Sequence, residues 1–194
     1  MISPMTSETS RLDFPRRLFT VDEVGQMVEQ GILGEDERVE LLDGDLLVVS
    51  PQGPPHSARL AALAHTLTRV YGDVAHPRTQ MPLDARPYNL PEPDLAVVKG
   101  QPLDYLNRHP VGADTLLVIE VANISQAVDR RKIGIYAAAG VPVYWLIDLV
   151  ARQIEVFTAP TDMGTFAQRR VLHPGDEVEL PEVGVRLAVS AIVG

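Results

Sequence analysis

"TLLVIEVANISQAVDRRKIGIYAAAGVPVYWLID", residues 115–148, decides the fold. It opens on "TLLVIEVA", aliphatic but for Thr115, Ala122 and the carboxylate of Glu120. A short apolar run of this kind reads as a buried strand. "DRRKIGIYAAAG" predicts a helix from about Asp129 to Ala139, with Gly140 as its stop. "VPVYWLIDL" (141–149) is a second apolar strand. Strand, helix and strand in such close succession make a βαβ unit, which implies a parallel pair with a right-handed crossover.

Working outward, "RQIEVFTA" (152–159) pairs as a hairpin with the strand before it, and stretches near 167–172 and 177–188 read as edge strands. Upstream, "DLAVV" (94–98) is a short buried strand, preceded by a turn from Tyr88 to Pro93 and a β region around 74–85. Residues 99–113 read as loop. Residues 56–71 carry Leu60, Leu63, Ala64 and Leu67 at helical spacing, after a chain break at "PQGPP" (51–55). "RVELLDGDLLVVS" (38–50) is a hairpin turning at Asp43-Gly44. Thr20 is an N-cap with Glu23 as its capping-box partner, and Gly31 closes that helix. Residues 1–17 lack apolar periodicity and read as a disordered tail, leaving 18–194 as a single domain. The order predicts an α/β fold with a mixed β-sheet flanked by helices. No G-x-G-x-x-G or phosphate loop is present, which argues against a nucleotide-binding doubly wound sheet.

The chain has 194 residues, 45% of them hydrophobic but only 5% aromatic, so its core is mainly aliphatic. It contains no cysteine, which excludes disulfides, zinc–thiolate sites and cysteine nucleophiles. No apolar run approaches the roughly 18 residues of a membrane span, and the N-terminus has no signal-peptide pattern, so a cytoplasmic protein without membrane contact is expected. The formal net charge of −9 is unfavourable for strong non-specific nucleic-acid binding, which rests on Lys and Arg. It is compatible with local basic patches, with a carboxylate site that takes a metal ion, or with a basic partner.

An ionised carboxylate among aliphatic neighbours is costly unless paired, so Glu120 needs a partner. If "DLAVV" and "LLVIEVA" are neighbouring strands, Asp94 and Glu120 converge at one end of the sheet. Two carboxylates there, with the carbonyl of Val121 as a third oxygen, form a hard-oxygen site of the type that holds Mg²⁺, with Mn²⁺ as a substitute. Each acid has a plainer reading: Asp94 as a turn residue, Glu120 in a structural salt bridge, Glu40 on the wet face of its hairpin. A lysine beside such a site stabilises developing charge and positions water. Position 122, where a Glu-x-Lys pattern would put it, is Ala122. Asp129, Lys132 and Tyr136, spaced three and four apart, share one face of the following helix. Spacing alone favours a solvated face for them.

"RVELLDGDLLVVSPQGPPH", "PEPDLAVV", "LLVIEVANIS" and "DRRKIGIYAAAGVPVYWLID" occur in an order that resembles the Uma-type (Uma-two) family of restriction-endonuclease-like proteins, within the PD-(D/E)XK nuclease superfamily. The resemblance spans about residues 18–188. It implies a restriction-endonuclease-like fold and a metal-dependent endonuclease hydrolysing DNA phosphodiester bonds. Carried across, Asp94 and Glu120 are the metal-binding acids, Glu40 is the first acid, and Lys132 is the catalytic lysine supplied from the following helix. His56 falls where the family often has a histidine; read from this chain alone it is an exposed residue at a helix N-terminus. The family's usual Ser-Pro-Ser-like turn after Glu-Val is replaced by "ANIS" (122–125), the loop that must hold Lys132 at its distance. Arg59, Arg78, Arg86, Arg130 and Arg131 are available for phosphate or serve as solubilising charge. Cleavage of both DNA strands would favour a homodimer. The competing reading is a catalytically inactive nuclease-like fold used for binding or assembly.

Overall fold

The computed structural model describes residues 16–34, 37–49, 52–122 and 126–194, with the side chains of 126–129 left out. Most of the expected tail, and three of the four "ANIS" residues, lie outside the described residues. Helix α1 spans Val21–Glu29, and its capping box forms as expected: Thr20 Oγ1 accepts from Glu23 N–H at 3.2 Å, and Glu23 Oε2 accepts from Thr20 N–H at 2.9 Å. Strands β1 (Val39–Leu42) and β2 (Asp45–Val48) make the predicted hairpin. Its turn holds Asp43 at φ 49° and Gly44 at φ 79°, the left-handed pair that a tight two-residue hairpin demands. Helix α2 (Pro54–Tyr71) begins two residues earlier than the sequence predicts. The Pro-Pro pair does not break the chain there; it opens the helix, because Pro lacks only an N–H that has no helical partner at that position.

The principal sheet has six strands in the order β3 (Ala75–Thr79), β4 (Leu95–Lys99), β5 (Thr115–Ala122), β6 (Val143–Asp148), β7 (Gln153–Thr161) and β8 (Thr165–Leu172). Neighbours run antiparallel except β5 and β6, which are parallel with Glu120 opposite Leu146. Helix α3 (Gln126–Ala138) connects those two strands, as the βαβ pattern predicts. The β region expected at 74–85 is continuous only over β3. The expected edge strands at 177–188 leave the principal sheet and form a separate pair, β9 (Glu177–Glu179) and β10 (Arg186–Ala188), followed by the short helix α4 (Val189–Val193).

All eight residues of β5 are buried, because both sheet faces are covered. One face packs Ile119, Val121, Trp145 and Ile154 against Leu60, Leu63 and Leu67 of α2 and Val189 and Val193 of α4. The other packs Val118, Tyr144 and Leu146 against Tyr136 of α3. Strand alternation therefore aims Glu120 at α3 and its neighbour Val121 at α2. No helix among the described residues is long and apolar enough to cross a membrane.

Gly112, just before β5, carries a sharp steric demand. A Cβ there would lie 2.0 Å from the Ala139 carbonyl oxygen and 3.0 Å from Val141 N. The approach locks the start of β5 against the turn between α3 and β6. Gly112→Ala must push these backbones apart, and it is expected to cost about 1–3 kcal/mol, as overpacking does. Thermal unfolding should show a Tm lower by ~2–12 °C; an unchanged Tm would mean the two segments separate freely.

Candidate active site

The site is built at one end of β4 and β5. Leu95 pairs with Ile119, so Asp94, one residue before β4, falls beside Glu120. The Asp94 N–H donates to Glu120 Oε2 at 3.3 Å, and the Val121 N–H donates to Asp94 Oδ2 at 2.9 Å. The two acids predicted to converge do so.

Lys132 reaches them from α3. Its Nζ donates to Glu120 Oε1 at 3.0 Å and to Glu40 Oε1 at 2.9 Å. Tyr136, one turn on, donates its hydroxyl to the same Glu120 Oε1 at 2.6 Å. The shared face of Lys132 and Tyr136 is thus the buried one: Lys132 is 5% exposed and Glu40 also 5%. This overturns the wet-face reading of Glu40 and the solvated reading of Lys132. Burial draws the Lys132 ammonium toward its neutral form, but Glu120 and Glu40 outweigh this and hold its pKa above the ordinary value. Burial pushes the Glu120 carboxyl upward, opposed by Lys132 and reinforced by Asp94 and Glu40.

His56 corrects the sequence reading. The early start of α2 turns it inward at 4% exposure, where its Nε2 lies 3.1 Å from Asp94 Oδ2 and 3.0 Å from the Val121 carbonyl oxygen. A carbonyl can only accept, so Nε2 carries the proton and donates. Gln52, which the sequence reading passed over, donates to Asp94 Oδ1 at 2.7 Å. Burial works to raise the Asp94 pKa, but His56, Gln52 and the Val121 N–H outweigh it and hold it below the ordinary value. The hydrogen bond to Asp94 raises His56 in turn. The signal for His56 was weak: one histidine after a Pro-Pro pair, 38 residues from its partner.

Glu92 adds a fourth acid. Its N–H donates to Glu40 Oε1 at 3.1 Å, and burial, then Glu40, push its carboxyl upward. Three carboxylates therefore contact one lysine and one histidine, and the Glu92 carboxylate lies at the rim, 4.0 Å from Arg38. Among the described residues no three His, Asp or Glu side chains form a ready cage for a metal. The donor set nonetheless fits a small hard cation that keeps much of its water. Asp94 Oδ2 and the Val121 carbonyl oxygen already converge on one donor, His56 Nε2, and Glu120 Oε2 adjoins them through the Asp94 N–H.

The model of a family described as "Uma2: Putative restriction endonuclease" matches residues 22–190. The chain belongs to the Uma2 family. A crystal structure described as that of "a putative nuclease belonging to DUF820", from Anabaena variabilis, superposes on this Uma2 chain with a TM-score of 0.72 at 18% identity. The match covers 90% of this chain and 97% of that one. It establishes the shared fold, a restriction-endonuclease-like mixed sheet flanked by helices. No curated protein matches the Uma2 chain.

Of the five arginines offered for phosphate, three are engaged in ion pairs: Arg86 with Asp84 and Asp22, Arg130 with Glu155, and Arg131 with Asp43 and Asp45. Arg59 and Arg78 have no ion pair among the described residues, and the Nε of each is buried without a partner. Arg78 on β3 lies opposite Ala96, and so on the sheet face covered by α3, which Glu120 also faces.

Proposed function

We propose that this Uma2 protein is a metal-dependent DNA endonuclease of the PD-(D/E)XK type whose lysine comes from the helix after the acid-bearing strand. The observation that carries the reading is Lys132 Nζ set 3.0 Å from Glu120 and 2.9 Å from Glu40, beside the adjoining pair of Asp94 and Glu120. Asp94, Glu120 and the Val121 carbonyl would hold Mg²⁺ or Mn²⁺. Bound there, the ion would supply Lewis-acid stabilisation of phosphate charge and lower the pKa of a water.

The chain's own side chains divide the remaining work. An ammonium has three donors. Lys132 gives two to Glu120 and Glu40, and the third has no partner among the described residues. That donor is available to orient the attacking water or a phosphoryl oxygen. Glu40 restrains Lys132 and, with Glu92, favours a cationic neighbourhood. Tyr136 keeps Glu120 Oε1 fixed, leaving Oε2 on the Asp94 side. Gln52 and His56 hold the Asp94 carboxylate in place. Arg78, which has no ion pair among the described residues and lies on the sheet face that Glu120 shares, is a cation available for a flanking phosphate. The overall charge of −9 means that binding depends on such local cations, and its weakening with salt grows with the number of phosphates they contact.

The test is nicking of supercoiled plasmid at low salt. Cleavage should require Mg²⁺ or Mn²⁺ and disappear in Asp94→Ala, Glu120→Ala and Lys132→Ala. Nicking that survives all three substitutions would belong to a contaminant. Absence of Mn²⁺ binding by calorimetry, with DNA or a protein partner still bound, would favour a nuclease-like fold used only for binding or assembly.

A further inference from the structure

A cavity lies across the sheet from Glu120 and Lys132. It occupies about 180 Å³ between α2, α4 and the ends of β5 and β6. Its walls are aliphatic, supplied by Leu63, Val121, Ile147, Leu187 and Ile192; among the described lining residues Arg59 has the only charged side chain, and Gly194 packs beside its guanidinium. The Arg59 side chain is half-buried, has no hydrogen bond or ion pair among the described residues, and buries its Nε–H without an acceptor. A buried donor left unmade is unfavourable, and a charged one more so, so the guanidinium is poised for an anion. Guanidinium matches a carboxylate in shape and can bind it through two parallel hydrogen bonds.

We propose that this cavity is a binding site for a small apolar carboxylate, its body among the aliphatic side chains and its carboxylate on Arg59. The volume sets the size. An apolar cavity of roughly 150 Å³ holds a molecule as large as benzene, so a six- to ten-atom body fits and a drug-sized one does not. The lining argues against a flipped-out nucleobase, which is read by hydrogen bonds to its Watson–Crick edge. The other polar lining group, Thr66, spends its hydroxyl proton on the Ala62 carbonyl at 3.0 Å. Val121 joins this cavity to the catalytic end: its side chain lines the wall, while its N–H holds Asp94 and its carbonyl accepts from His56. Arg59 follows His56 by one turn of α2. The site stands whether or not the protein cleaves DNA.

Hexanoate and benzoate, titrated by calorimetry and by protein-observed NMR with EDTA present, test this assignment. Saturable binding is expected, with acetate, which lacks the apolar body, and hexanol, which lacks the charge, each weaker by at least tenfold. Arg59→Ala should weaken hexanoate binding at least tenfold, and Ala191→Phe, which fills the cavity from an exposed helix position, should abolish it. Circular dichroism and Mn²⁺ affinity of both variants should match the wild type, which separates loss of this site from loss of the fold or of the metal site. No saturable binding of either acid, or binding that both substitutions leave unchanged, would overturn the proposal.

Discussion

Lys132→Met is expected to lower the stability by about 3–5 kcal/mol, the cost of removing one partner from a buried ion pair. For a chain of this size that corresponds to a fall in Tm of ~6–20 °C. The cause is the pair of acids left behind: Glu120 at 3% exposure and Glu40 at 5% would share a space with no cation between them. Two features make this a test of electrostatics and not of packing. Methionine nearly preserves the volume of the lysine stem. The double substitution Lys132→Met/Glu120→Gln removes one of the two stranded charges and keeps an acceptor for the Tyr136 hydroxyl, so it should recover a large part of the loss.

The pH dependence has a definite sign. Burial already raises the Glu120 carboxyl above the ordinary value near 4.5, and Lys132 is the chief group holding it down. Without Lys132 the folded-state value rises further while the unfolded value does not. The folded variant then binds more protons than the unfolded chain between those two values, and its stability falls as pH rises through that window. The wild-type Glu120 is itself raised to about 8, so the deficit relative to wild type should stay level below that pH and grow as pH rises through 8 toward the variant's higher value. A single variant within ~2 °C of wild type, with no such trend, would show that the cluster is not a buried ion pair.

The second large effect is on cation binding and turnover. Asp94→Asn should weaken Mn²⁺ binding by at least about 10–100-fold, the scale on which even supporting groups of a metal site act. Single-turnover DNA cleavage should fall by ~10²–10³-fold or more, the loss typical of removing one preorganised electrostatic group. The fold should tolerate the change, since an amide oxygen can still accept from the Val121 N–H. His56 is the complication: its Nε2–H, 3.1 Å from Oδ2, would face an amide where it now faces a charge, depending on how the amide turns. A variant with normal Tm and Mn²⁺ affinity unchanged from wild type would remove Asp94 from the site.

The residues that govern these outcomes were not equally visible beforehand. Glu120 stands out from sequence because a carboxylate inside "LLVIEVA" conflicts with every neighbour. Asp94 follows once "DLAVV" is placed beside that strand, and the register that pairs Leu95 with Ile119 is the one that brings the two acids together. Lys132 and Tyr136 declare a common helical face through their spacing. Spacing does not say whether that face meets water or Glu120, and only the resemblance to a nuclease family favoured the latter. Glu40 and His56 were misjudged when read alone. Glu40 acquires its burial from a lysine 92 residues away, and His56 from a helix start shifted by two prolines.

The amino-acid sequence by itself determined the βαβ unit, the Asp43–Gly44 hairpin and the capped first helix, because each follows from short-range periodicity, turn chemistry and hydrogen bonds within a few residues. It also determined which acids, and which lysine, were candidates. The tertiary structure alone decided what each of them faces. Lys132 lies between Glu40 and Glu120, His56 and Gln52 close on Asp94, and Arg59 has no partner among the described residues beside an aliphatic cavity. Those contacts join segments 12 to 92 residues apart. Periodicity assigns a side chain to a face; the occupant of the opposite face is set by how the sheet and helices pack.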